Sequence, residues 1–126
     1  MLQIPGLFIA ESENKGRGVF TSVDIQEGDI IEICPLIIVP PKDVAKVHQT
    51  ILHDYYFLWP EPKGAACIAL GFGSIYNHSY ENNAEVFMDI EGKEIEIRSC
   101  KMLKAGSEIF IDYTDGKKDK IWFDVK

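Results

Sequence analysis

Four short stretches of this chain hold side chains that could do chemistry. The first is Asn77-His78-Ser79, which ends the mostly apolar run "ALGFGSIY" (69–76). Three consecutive polar groups packed against a core must all find partners. Either they knit the chain to another segment, or they hydrogen-bond a polar ligand. The second is "EIFIDY" (108–113), where Asp112-Tyr113 closes an Ile- and Phe-rich strand. A tyrosine there directs its hydroxyl into a cleft or packs as a plain aromatic. The third is "HDYYF" (53–57), with Tyr55 and Tyr56. The fourth is "NKGRG" (14–18), where Gly16 and Gly18 flank Arg17. Without a Cβ, the backbone there can bend tightly and come close to a ligand, or simply turn. It is not a dinucleotide fingerprint, which needs a third glycine and a following helix.

Other chemistries find little support. His48 and His53 are five apart, the wrong spacing for two metal ligands on one helical face, and no Cys-x-x-Cys occurs. Cys34, Cys67 and Cys100 form an odd, widely spaced set in apolar or β-type surroundings. That pattern predicts buried free thiols and a reducing compartment. Neither Cys67 nor Cys100 has a neighbour that would activate a thiolate. The net charge of −7 argues against direct nucleic-acid binding and suits a basic partner, although acidity alone also keeps a small protein soluble. No window approaches the ~18 apolar residues of a membrane span, and the N-terminus lacks the basic region and cleavage site of a signal peptide.

The elements that must position these residues are mostly strands. Length and composition suggest one domain of 126 residues. Residues 7–12 read as a strand and 13–18 as a polar turn. Residues 30–39 are a β-branched run suited to a strand buried on both faces, stopped by Pro40-Pro41. A helix follows, with Asp43 as its expected cap and Val44, Val47, Ile51 and Leu52 on one apolar face. Its end is ambiguous, because 55–59 has strand composition. Residues 65–70 form a strand. The alternation on either side of Glu91-Gly92-Lys93 is a hairpin, with Ile95 and Ile97 on one face and Glu94, Glu96 and Arg98 on the other. A polar loop and an apolar tail end the chain. The expected class is mainly β, with one or two short helices and small folded sheets, as folded ribbons or a small barrel.

Taken in order, "KGRGVF", "DYYF", "GSIYNHS-YE-NNA" and "AGSEIFIDY" resemble the SET-domain protein-lysine methyltransferases. In particular they resemble the minimal, stand-alone SET domains of some large DNA viruses and bacteria. The likeness runs from about Leu7 to Trp122. It implies a single SET domain over 1–126, with a core at 7–114 and a tail at 115–126 that closes the cofactor and lysine site. It implies a C-terminal pseudoknot beside Asn77-His78-Ser79, so that cofactor and threaded backbone supply the polar trio's partners. It also implies S-adenosylmethionine as methyl donor and S-adenosylhomocysteine as product. Lys15, Gly16, Arg17 and Gly18 would line the cofactor site. Asn77 would contact the cofactor, and the main chain of His78 would meet its adenine edge. Tyr113 would be the active-site tyrosine and Tyr55 the second tyrosine of the lysine channel. Trp122, with Phe123 as second choice, would cover the site.

Two positions depart from the family pattern. Asn82 stands where a proline is usual, which would loosen that loop. Ile111 stands two before Tyr113, where some relatives carry a Phe or Tyr that tunes the number of methyls added.

The implied substrate is a lysine in a basic protein or histone-like tail, with no nucleic acid or membrane bound directly. The implied location is cytoplasmic or nucleus-associated. The aromatic run 55–59 suggests a homodimer, or else simply core. An inactive SET-fold module that only binds peptide or cofactor is the alternative reading.

Overall fold

The computed structural model describes residues 2–13 and 16–112. Among them are ten strands, one α-helix and one 3-10 helix. The strands form two sheets, and the main core lies between them.

The larger sheet is built on β4 (Ile30–Val39). The first half of β4 pairs with β1 (Leu2–Gln3) and β9 (Glu94–Ser99), its second half with β6 (Ala65–Ala69). The edge strands are β5 (Tyr56–Trp59), on β6, and β8 (Ala84–Asp89), on β9. The smaller sheet runs β2 (Leu7–Ser12), β3 (Gly16–Thr21), β10 (Glu108–Ile111) and β7 (Asn77–His78). All its pairs are antiparallel except β10 with β7, which is parallel. The core between the sheets is filled by Val19, Ile31, Tyr76, Ile95, Ile97 and Ile109, each fully buried.

The 84–99 hairpin has the expected register, with Ile95 and Ile97 inward. Elsewhere the structure corrects the sequence reading. Residues 16–18 are strand, not turn: Gly16 pairs with Ser12, Arg17 with Glu11 and Gly18 with Ala10. Strand β4 is not buried on both faces. Ile30 and Ile37 are exposed, because α1 (Pro41–His48) covers only the end of the sheet's outer face.

The helix is also shorter than its apolar pattern. Val44 and Val47 pack on Val39, Tyr56 and Ala66, but Ile51 and Leu52 are exposed. Pro40, not Asp43, occupies the N-cap, and Pro41 supplies a helical φ at the first position, where a missing N–H costs nothing. Thr50 ends the helical run. Its hydroxyl donates to the Val47 carbonyl at 2.6 Å and accepts from the Leu52 N–H at 3.1 Å, opening the 3-10 turn Ile51–Asp54. The aromatic run then becomes β5, with Tyr56, Phe57 and Trp59 buried. Those rings are the fold's own core.

Candidate active site

The site begins on β4. Glu32 and Cys34 point to the same face of that strand, toward the turn at 70–76. Glu32 is fully buried. Its Oε1 accepts from the Tyr76 hydroxyl at 2.7 Å, and its Oε2 accepts from the Phe72 N–H and from Gln3 Nε2, each at 3.0 Å. Gly73 lies against Cys34: a Cβ there would sit 2.9 Å from the sulfur. The glycine is therefore a requirement of close approach. Burial, and next the Glu32 carboxylate, holds the Tyr76 phenol well above its ordinary range, so this tyrosine keeps its proton and donates a hydrogen bond to Glu32.

This support delivers Asn77 and His78 to β10. Asn77 pairs with Phe110 and His78 with Ile111. The following loop binds the same strand again. The Ser79 N–H donates to the Ile111 carbonyl, and the Asn83 N–H to the Phe110 carbonyl. The Asn83 amide spans β10, donating to the Glu108 carbonyl at 3.0 Å and accepting from the Phe110 N–H at 2.8 Å. Asn82 does not loosen this loop, because its amide donates to the Ala84 carbonyl at 2.8 Å.

Strand β3 lies on the other side of β10, which brings the glycine stretch to Asn77. The Asn77 Nδ2 donates to the Arg17 carbonyl at 3.2 Å and to Glu108 Oε2 at 2.7 Å. The other Glu108 oxygen accepts from the Ser12 hydroxyl at 2.5 Å. A Cβ on Gly18 would lie 2.6 Å from Asn77 Nδ2 and would collide with the Glu108 carboxylate. Gly16 has a φ of 72°, in the region that favours glycine. The result is a cradle of one amide, one carboxylate and one backbone carbonyl, joined through Asn77 Nδ2. His78 is buried at its foot, edge-on to the Tyr80 ring, with Nδ1 3.7 Å from Asp112 Oδ1.

The structure thus brings Gly16, Arg17, Gly18, Asn77 and His78 together. Lys15, Tyr113, Trp122 and Phe123 lie outside the described residues. The last described residue, Asp112, stands beside His78 and directly precedes Tyr113. Tyr55 is 38% exposed, where the 3-10 helix passes into β5. Sequence reasoning missed Ser12, Glu32 and Glu108. Glu108 left a faint signal: it is a charged residue opening a strand whose alternate positions, Ile109 and Ile111, are fully buried. Glu32 left one too, as the only charge within a ten-residue apolar strand.

The thiols belong to the scaffold. Cys34 and Cys67 are buried and Cys100 partly so. Burial pushes the Cys67 thiol up to about 12, and raises Cys34 and Cys100 as well, with carboxylate neighbours adding to both. A thiolate nucleophile is not available at neutral pH. His48 accepts or donates at the Tyr56 hydroxyl, 2.9 Å away, and its ring meets that of His53 edge-on. Among the described residues no three His, Cys, Asp or Glu side chains are grouped to hold a metal ion. No helix among them is long and apolar enough to cross a membrane.

Comparison with known proteins points to one family. The family described as SET domain matches residues 16–114. A Schizosaccharomyces pombe protein, the histone-lysine N-methyltransferase specific for H3 lysine-37, is 32% identical over 119 residues, covering 94% of this chain and 77% of its own length. Among solved structures, a Plasmodium falciparum protein described as a candidate histone methyltransferase superposes with a TM-score of 0.69 at 29% identity, covering 90% of this chain and 95% of that one. The ctPRC2 complex in an autoinhibited conformation bound to S-adenosylmethionine gives a TM-score of 0.71 at 20% identity, covering 88% of this chain and 15% of that one. At that identity the second likeness concerns the fold alone.

Proposed function

Because the chain belongs to the SET-domain family and is a protein-lysine N-methyltransferase, we propose that its donor, S-adenosylmethionine, is held by the Gly16–Gly18 backbone, Asn77 and His78, with Lys15 and Trp122 completing the site. The substrate is a lysine on a basic protein or histone-like tail, as the relative's specificity and the acidic chain both suggest. Such a substrate implies work in or beside the nucleus. The whole of 1–126 acts as one domain, its tail closing the site.

One juxtaposition carries this reading: the Asn77 amide, the Arg17 carbonyl and the Cβ-free surface of Gly18 meet beside the strand that leads into Tyr113. Those groups suit a small polar ligand whose cationic end needs carbonyl and carboxylate oxygens. When bound, S-adenosylmethionine supplies an activated methyl group on a positively charged sulfur.

The protein's own task is to present a neutral amine. Free lysine has a pKa of roughly 10.4, so nearly all of it is ammonium at neutral pH. A phenol such as Tyr113 titrates near ~10 and is a poor base at neutral pH. Desolvation in a channel lined by Tyr55 and Tyr113, beside a positive charge, disfavours the ammonium form, and its proton leaves to water. Tyr113 then orients the amine. Such positioning removes up to ~7–11 kcal/mol of barrier in favourable cases.

The test is a pair of measurements on wild type and Tyr113→Phe. Wild type is expected to bind S-adenosylmethionine by calorimetry and to transfer label to lysines of histones. Tyr113→Phe is expected to lose at least ~100-fold in turnover, about 2.7 kcal/mol of transition-state stabilisation, with binding retained. Binding without transfer to any basic protein would favour the inactive binding module. Parental turnover in the variant would remove Tyr113 from the mechanism.

A further inference from the structure

Glu32 takes no part in the chemistry above, yet it is the most costly residue in the core. A carboxylate with no exposed surface is tolerated only when its oxygens are fully hydrogen-bonded, and an apolar residue of similar volume would often be no worse for stability. Three of its hydrogen bonds show what it is for. Two come from the turn before Asn77, the Phe72 N–H and the Tyr76 hydroxyl; the third comes from Gln3 of the N-terminal strand. Within that turn the backbone bonds are local, Gly73 to Leu70 and Ile75 to Phe72, apart from the Leu70 N–H to the Pro35 carbonyl at its start. The carboxylate therefore anchors the rest of the turn to β4, and its last bond is made by the residue adjoining Asn77.

We propose that Glu32 is a positioning residue for the cofactor cradle: through Tyr76 it sets the backbone on which Asn77 and His78 sit, and through Gln3 it makes the N-terminal strand part of that setting. This rests on the proposed cofactor site, but the geometry it claims exists without cofactor. The two can fail separately.

The experiment uses Tyr76→Phe, Glu32→Gln and Gln3→Ala in the full chain. Amide hydrogen exchange is first measured without cofactor. In Tyr76→Phe the amides of 77–79 are expected to exchange about tenfold faster, while those of β9 in the same molecule keep their rates. The dissociation constant for S-adenosylmethionine is expected to rise about tenfold, with kcat at saturating cofactor near wild type. Gln3→Ala, which removes only the outermost donor, should raise it about threefold. Tyr76→Phe combined with Glu32→Gln should fall short of the product of the single effects, because both act through one network. Uniformly faster exchange in all strands, or a lower melting temperature with unchanged affinity, would show that Glu32 only holds the fold. If wild type failed to bind S-adenosylmethionine, the exchange of 77–79 against β9 would still decide the matter.

Discussion

The two sheets of this protein solve opposite problems. The larger one turns Ile95, Ile97, Cys34 and Cys67 inward, and its edges are closed by pairs of strands near in sequence, β5 with β6 and β8 with β9. The smaller one joins residues that are remote along the chain: Ser12 meets Glu108 across 96 positions, and Asn77 meets Arg17 across 60. Val19, Ile109 and Ile111 of this sheet face the core, while its Ser12, Asn77 and Glu108 side chains are joined by hydrogen bonds. The larger sheet is a platform whose loss costs stability; the smaller is a site whose loss costs affinity. Glu32 and Tyr76 are where the platform takes hold of the site.

That division can be broken from either side. The largest effect on the fold should come from Ile97→Ala, which empties a fully buried position facing the core. Large-to-small changes of this kind cost about 2–5 kcal/mol through lost transfer energy and a residual cavity. The expectation is a fall of that size in denaturant melts, with cofactor affinity unchanged well below the melting temperature. A parallel loss of affinity would show that platform and site are not separable.

Gly18→Ala should give the converse, a smaller effect confined to the site. The backbone at Gly18 is not in the glycine-only region, so alanine brings no conformational strain there. Its Cβ meets only the ends of the Asn77 and Glu108 side chains, which can swing aside. The fold should therefore hold while the Asn77–Glu108 hydrogen bond is forced apart. A bond to a charged group contributes roughly 1.5–3 kcal/mol, so cofactor affinity should fall at least tenfold by calorimetry. Unchanged affinity would mean that this pair does not set the cradle.

The same division explains what was legible in the sequence. The hairpin was, because alternation is a local property and each strand alone reveals which face is inward. The long run of β4 was visible, but its exposure was not, since that depends on how little α1 covers. β1 is two residues long and carries no pattern. The cradle was legible only through the order of whole motifs. Nothing in the periodicity links Ser12, Arg17, Asn77 and Glu108, whose meeting is decided by a parallel strand pair between distant segments. Asn82 shows the limit of motif reading. The missing proline suggested a looser loop, and a side-chain hydrogen bond to Ala84 ties it instead.

The smallest predicted effect sharpens the comparison through pH. Cys34 and Cys67 in the larger sheet are buried and held above the ordinary thiol value of 9.0, and Tyr76 is held above the ordinary phenol value of 10.0. Each is protonated in the fold. Above about pH 9 the unfolded chain releases these protons while the folded one keeps them, so stability is intact below that value and falls as pH rises, the Cys67 contribution continuing to about 12. Each thiol should cost roughly 1.4 kcal/mol per pH unit once well past 9. Activity should move the other way, because a substrate lysine near ~10.4 gains neutral amine as pH rises. Initial rates should therefore climb from pH 7 to 9 while melting temperature stays level, and above that the platform should weaken as the chemistry improves. Cys67→Ala should reduce the alkaline slope of stability without altering the rise in initial rate. A melting temperature that is flat from pH 8.5 to 10.5 would mean that the platform admits these charges. A flat rate from pH 7 to 9 would mean that amine deprotonation does not limit turnover.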